Sequence, residues 1–261
     1  MNGGTELNVI SLVLASSLVM VSLLISATQK LGLGKETFIS VIRAVVQLII
    51  VGYLLEYIFG LENPLFTTGL LLVMIFNAAY NAAKRGGCLK NRGGCLKNGL
   101  LVSFIAIGTG AILTLTVLVT SKAIKYEPNQ VIPVGGMIIS NAMVALGLCY
   151  RQLTANFNIR REEVETKLSL GADILPSSLS IIRDAIRTGM VPTIDSAKTL
   201  GIVSLPGMMT GLILGGVSPL IAIRFQIMVT FMMLSTTSIS SVIACYLYYR
   251  NFFNDRKQLV V

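Results

Sequence analysis

The chemistry open to this chain rests on a few polar side chains set in apolar surroundings. Arg43 and Gln47 are four residues apart, as are Asn77 and Asn81, so each pair shares one helix face. Asn141 stands inside an apolar stretch, and Asp195 lies in "VPTIDSAKT" at the edge of another. Charged and amide groups at membrane depth are costly, so they mark either interhelical hydrogen bonds or the lining of a cation path. Both readings stay open for the amides. Asp195 has three: a carboxylate in the first turn of a helix opened by Pro192, an i,i+3 pair with Lys198, or a hard oxygen ligand at a cytoplasmic mouth. Met208, Met209, Met232 and Met233 either fill irregular gaps or offer thioethers to soft ions.

Several reaction types are excluded. The chain has no histidine, which removes Ser–His catalysis, zinc hydrolysis of the HExxH kind and haem ligation by His. "GLGKE" (32–36) has the GK of a phosphate-binding loop but not the rest, so if the chain pumps, the energy comes from a partner or an ion gradient. The chain is expected to be no enzyme and to bind no cofactor itself. Cys88, Cys95, Cys149 and Cys245 are too scattered for a disulfide framework. Cys88 and Cys95 belong to a tandem duplication, GGCLKNR then GGCLKNG, inside "KRGGCLKNRGGCLKNG" (84–99). A basic insertion fits it better than a metal site, because CxxC spacing is absent.

The elements that must position these groups are membrane spans. Of the 261 residues, 54% are hydrophobic and only 13% charged, and mean hydropathy is +0.77. One globular core cannot bury that excess, so a bilayer is the natural solvent. Apolar stretches near 8–28, 37–59, 65–83, 100–121, 131–150, 199–216 and 226–249 predict about seven transmembrane helices in one all-α membrane domain, 1–261. Pro133, Gly135, Gly136, Pro206 and Gly207 interrupt the fifth and sixth. Residues 1–7 lack a basic n-region, so the pattern predicts no cleavable signal peptide. Alternate connections carry 17 and 3 basic residues, which places the N-terminus outside, the C-terminus inside, and 151–198 in the cytoplasm of a multi-pass cell-membrane protein.

That 151–198 arm contains "EVETKLSLGADILPS" (163–177), an acidic elbow in an otherwise greasy chain. A helix is predicted from about Thr154 to Leu170, with Gly171 as its stop. Asp173 would cap a second helix, with Pro176 in its first turn. The pair reads as a helix-turn-helix docking arm, or as an amphipathic helix lying on the bilayer. Gly207, Gly211 and Gly215 form GxxxGxxxG, which suits close helix approach, either between subunits or within one.

Two features resemble a known family. Glu165 through Leu170, Gly171 and Ala172 is similar to the EAA loop of ABC permeases. "VIRAVVQLIIVGYLLEYIF" (41–59), "VPTIDSAKTLGIVSLPGMMTGLILGG" (191–216) and "QIMVTFMMLSTTSISSVIACYL" (226–247) resemble the FetB-type iron-export permeases, whose plant relatives are linked to aluminium tolerance. The resemblance implies a permease, expected as a homodimer, that docks a cytoplasmic ABC ATPase through Glu165, Leu170, Gly171 and Ala172. ATP–Mg would sit in that ATPase, a metal ion would be the cargo, and nucleic acid would play no part. A membrane scaffold or sensor with a docking arm, and a gradient-driven metal transporter, are the other readings.

Overall fold

The computed structural model describes residues 9–61, 64–86, 93–254 and 256–260. Their regular structure is helical: α1 (Val9–Thr28), α2 (Gly34–Leu61), α3 (Pro64–Arg85), α4 (Gly93–Thr120), α5 (Pro128–Ile159), α6 (Arg161–Ser169), α7 (Ile174–Thr199), α8 (Gly207–Leu214) and α9 (Pro219–Tyr248). Five of these helices, α2, α3, α4, α5 and α9, contain stretches long and apolar enough to cross a bilayer. The chain is therefore an all-helical, multi-span protein.

Helices α3, α4, α5, α7 and α9 pack into one bundle. Between helices in lipid the hydrophobic effect gives little drive, so small residues and polar contacts carry the association. A Cβ on Gly110 of α4 would lie 2.5 Å from Ser240 Oγ of α9, and one on Gly135 of α5 would lie 2.5 Å from Leu71 Cδ2 of α3. A Cβ on Gly189 of α7 would strike the Cys149 sulfur and come within 3.0 Å of the Ala145 carbonyl, both on α5. The Ser/Thr run of α9 adds polar contacts. Thr236 bonds Thr114 at 2.7 Å, and Ser240 donates to the Ala106 carbonyl at 3.0 Å. Near the α5–α6 junction, Phe157 stacks on Phe252 with ring centres 4.5 Å apart.

Three boundaries differ from expectation. The fifth stretch is unbroken, because Pro133 sits in the second turn of α5 and removes a single bond. The sixth, 199–216, is no span. It divides into a turn around Gly201, which has φ +79°, and α8, whose eight residues rise only about 12 Å. Just before it, α7 runs 26 residues, about 39 Å, straight through Pro192. Pro192 therefore does not open a helix.

The duplicated loop and the Cys88–Cys95 metal reading fall largely on 87–92, and the N-terminal segment on 1–8; both lie outside the described residues.

Helices α1 and α2 lie against each other at the edge of the bundle, and the α2 stretch Gly34–Glu56 buries none of its window. Arg43 and Gln47 are both exposed there.

Candidate functional site

A cavity of about 300 Å³ opens between α5, α7, α9 and the turn that follows α7. Asn141 and Ala145 line it from α5, Thr193 and Ser196 from α7, and Gln226, Thr230 and Met233 from α9. Asn141 is the fourteenth residue of α5, about 20 Å from its start, which is mid-depth for a crossing helix. Its side-chain amide donates to the Met137 carbonyl at 2.9 Å and to Met233 Sδ at 3.2 Å, tying α5 to α9. Gln226 is buried, and its Oε1 has no hydrogen-bond partner among the described residues. Thr230 donates to the Gln226 backbone carbonyl at 2.9 Å. Pro192, also in the wall, has no N–H to offer the Thr188 carbonyl one turn earlier. The wall is thus uncharged and mostly apolar, with the acceptor oxygens of Asn141, Gln226 and Thr230 set into it.

Of the sequence candidates for a path, only Asn141 lines this cavity. Asn77 and Asn81 bond each other on α3 at 2.7 Å. Asp195 is not at the start of a helix but in the last turns of α7, exposed and bound to Lys198 at 3.0 Å. The i,i+3 pairing holds. The N-terminal dipole argument fails, because a carboxylate near a helix C-terminus is disfavoured. Both residues also lie at the end of α7 remote from the elbow. Among the described residues, nothing beyond α8's own backbone comes within 4 Å of a Cβ on Gly207 or Gly211, and Gly215 caps α8 from outside it. Met232 is buried in the bundle, whereas Met233 faces the cavity.

Gln226 escaped sequence reading because it stood at the assumed edge of the last span. The signal was present in Ser218-Pro219, an N-cap followed by a proline at the first helical position. Those residues start α9 seven positions earlier and draw Gln226 two turns inside the helix.

At the far end of α7, the polar segment forms a stapled elbow. α5 ends at Ile159 and α6 begins at Arg161, so the helix expected from Thr154 to Leu170 is broken at Arg160. Arg160 bonds Glu163 at 2.7 Å and Asp184 of α7 at 3.2 Å. Lys167 bonds Glu163 at 2.6 Å, and Arg161 bonds Glu165 at 2.7 Å. Hydrogen bonds from Arg160 and then Lys167 hold the Glu163 carboxyl down at about 2. Leu170 projects 83% exposed, and Gly171 turns the chain at φ +89°. Only glycine takes that conformation without strain. Asp173 occupies the N-cap position of α7, but its carboxylate is bound by Lys257 at 2.8 Å instead of capping the helix. Ile182 and Ala185 face inward from α7, with Arg183 and Arg187 exposed.

The Uncharacterised protein family (UPF0014) matches residues 9–253, which include both the cavity and the elbow. The chain belongs to this family. Similar members include the probable iron export permease protein FetB of Escherichia coli, 52% identical over 96% of this chain and 94% of that one. The UPF0014 membrane protein YjkA of Bacillus subtilis is 37% identical over 96% of this chain and 97% of its own. The protein ALUMINUM SENSITIVE 3 of Arabidopsis thaliana is 35% identical over 92% of this chain and 86% of its own. No solved structure matches the chain. As a UPF0014 member with five membrane-length apolar helices, it is a multi-pass membrane permease of the cell membrane.

Proposed function

We propose that this UPF0014 permease is the membrane subunit of an ATP-driven iron exporter. Two copies form the pathway, and a separate cytoplasmic ATPase docks on the α6–α7 elbow and holds the ATP–Mg. The observation that carries this reading is the 52% identity to the FetB permease, which spans 251 residues and so runs through both elbow and cavity.

The geometry adds support. A docking element must be rigid and must present something to grip. Paired charges stiffen α6, and Leu170 stands clear at its tip beside a left-handed glycine. Glu165, Leu170, Gly171 and Ala172 are the contact residues in this reading. The five long apolar helices together with α1 and α7 give seven crossings, which preserves the orientation argued from the basic residues.

The test is co-expression with a spanless P-loop ATPase, copurification, and reconstitution into vesicles. ATP-dependent Fe(II) movement that requires both subunits is expected. Copurification failing while a proton gradient drives Fe(II) would replace this reading with a gradient-driven transporter. Copurification without movement of any metal would replace it with a scaffold.

A further inference from the structure

We infer that the cavity between α5, α7 and α9 holds the cargo as a hydrated divalent cation, bound through its first-shell waters rather than by direct ligation. This rests on the permease reading above and adds the site and the form of the cargo.

The acceptors on the wall carry the argument. Gln226 is 7% exposed, lines the cavity, and its Oε1 has no partner among the described residues. A buried amide oxygen left in that state calls for a donor or a cation. Asn141 points the same way. Its amide nitrogen is spent on the Met137 carbonyl and the Met233 sulfur, which leaves Oδ1 as its free polar atom. The Thr230 hydroxyl hydrogen is spent on a helix carbonyl, so that oxygen too can only accept. These oxygens on the cavity wall can only accept, so they suit a guest that offers O–H donors.

Size and charge then select the guest. A water takes about 30 Å³ of liquid volume, so a cavity of about 300 Å³ accommodates an ion with six waters around it. Direct ligation would strip that shell and replace it with neutral oxygens and one thioether, a poor exchange for a strongly hydrated dication. Among the described residues no three His, Cys, Asp or Glu side chains meet at one point to do better. Keeping the shell also lowers the cost of carrying charge into a low-dielectric wall. Binding by neutral acceptors is weak enough to release the ion, which transport requires.

The test uses the permease with its ATPase in proteoliposomes under anaerobic Fe(II), with hexaamminecobalt(III) as probe. That ion cannot exchange its six ligands and offers N–H donors where a hydrated ion offers O–H. It should compete with Fe(II) for export, with an inhibition constant within about tenfold of the Fe(II) KM. Gln226→Leu and Asn141→Leu should each raise the Fe(II) KM by tenfold or more. Gln226→Glu, which keeps size and shape, should lower KM and slow turnover, because a carboxylate holds the ion more tightly. Absence of competition would overturn binding through water. An unchanged KM in both Gln226 variants, with export intact, would overturn the site while sparing the exporter reading. Wild-type vesicles that move no Fe(II) would remove the iron-export reading and this site with it.

Discussion

Lys257 reaches back 84 positions to bind the Asp173 carboxylate at 2.8 Å, so the C-terminal tail braces the start of α7. Both groups are exposed, and solvent and salt screen such a pair so that it adds little to global stability. Lys257→Met should therefore leave thermal unfolding almost unchanged. It should speed amide exchange in the first turn of α7, because the anchor of that turn is gone. Unaltered exchange there would show that the tail braces nothing.

The same elbow should loosen in acid. The Glu163 carboxyl is held at about 2 by Arg160 and Lys167, below an ordinary value of 4.5, and Lys257 lowers the Asp173 carboxyl as well. A depressed folded value means these pairs stabilise fully above the unfolded value and are lost as pH falls toward the folded one. Exchange of α6 amides should thus rise between about pH 4.5 and 2, with no step between pH 6 and 8. Glu163→Gln should remove the acid step. Its persistence in that variant would assign the loosening to another group.

Gly171→Val tests the turn. At φ +89° a β-branched residue is strained by about 1–2 kcal/mol, and relief would swing α7 away from its present direction. Open space around the position means no clash adds to this. Membrane insertion should survive and ATPase copurification should fall several-fold. Full copurification by the Val variant would argue against the elbow as the docking element.

Packing makes a contrasting pair of glycines. Gly189→Ala places a methyl against the Cys149 sulfur and the Ala145 carbonyl, and the carbonyl belongs to a backbone that cannot yield cheaply. Overpacking of this kind costs about 1–3 kcal/mol. Gly211→Ala meets nothing within 4 Å among the described residues and should be neutral to slightly stabilising for unfolding of the monomer in detergent, because alanine is the better helix former. If the two variants unfold alike, the α5–α7 approach is looser than described.

Asp195→Asn should be nearly silent. The carboxylate is exposed, tied to Lys198, and sits where the α7 dipole disfavours negative charge. Losing the charge should leave Fe(II) export within about twofold of the parent. Abolished export with assembly intact would restore Asp195 as a ligand.

Where the structure puts these residues shows how far the sequence locates them. Asn141 was legible because an amide in a long apolar run has no bland surroundings. Gly171 was legible because a glycine behind an amphipathic run is a local signal. Asp195 and the sixth span were misplaced for one shared reason. An apolar run alone does not make a spanning helix, and α7 packs in the bundle as an amphipathic helix that buries Ile181, Ile182 and Ala185 while Arg183, Asp184 and Arg187 stay exposed. Gly110 and Gly189 carry no motif, and Gly135 reads in sequence as a helix break, so none announces its packing role. Each is small only because another helix touches it there, and that contact is nonlocal. The conspicuous GxxxGxxxG repeat has no neighbour among the described residues at Gly207 or Gly211.

The remaining prediction concerns which side of the membrane follows α7. Sequence reading kept 151–198 together in the cytoplasm, with the next span beginning at 199. The structure places Lys198 at the opposite end of α7 from the elbow, about 36 Å along the helix from Ile174. That exceeds a hydrocarbon core of about 30 Å. α8 rises only about 12 Å, so it cannot supply a crossing of its own. If α7 crosses, residues 200–206 are external and α9 returns to the inside. Lys198 then changes sides, Arg183 and Arg187 fall within the crossing helix, and the division of basic residues becomes 14 against 4, which still favours the same orientation. Val203 is 78% exposed in that turn, which makes it a clean reporter. A Val203→Cys protein should react with a membrane-impermeant maleimide added outside intact cells, and Ser169→Cys on the elbow should react only after the membrane is opened. Labelling of both from the same side would mean that α7 does not cross, which would leave the cavity at one surface instead of mid-membrane.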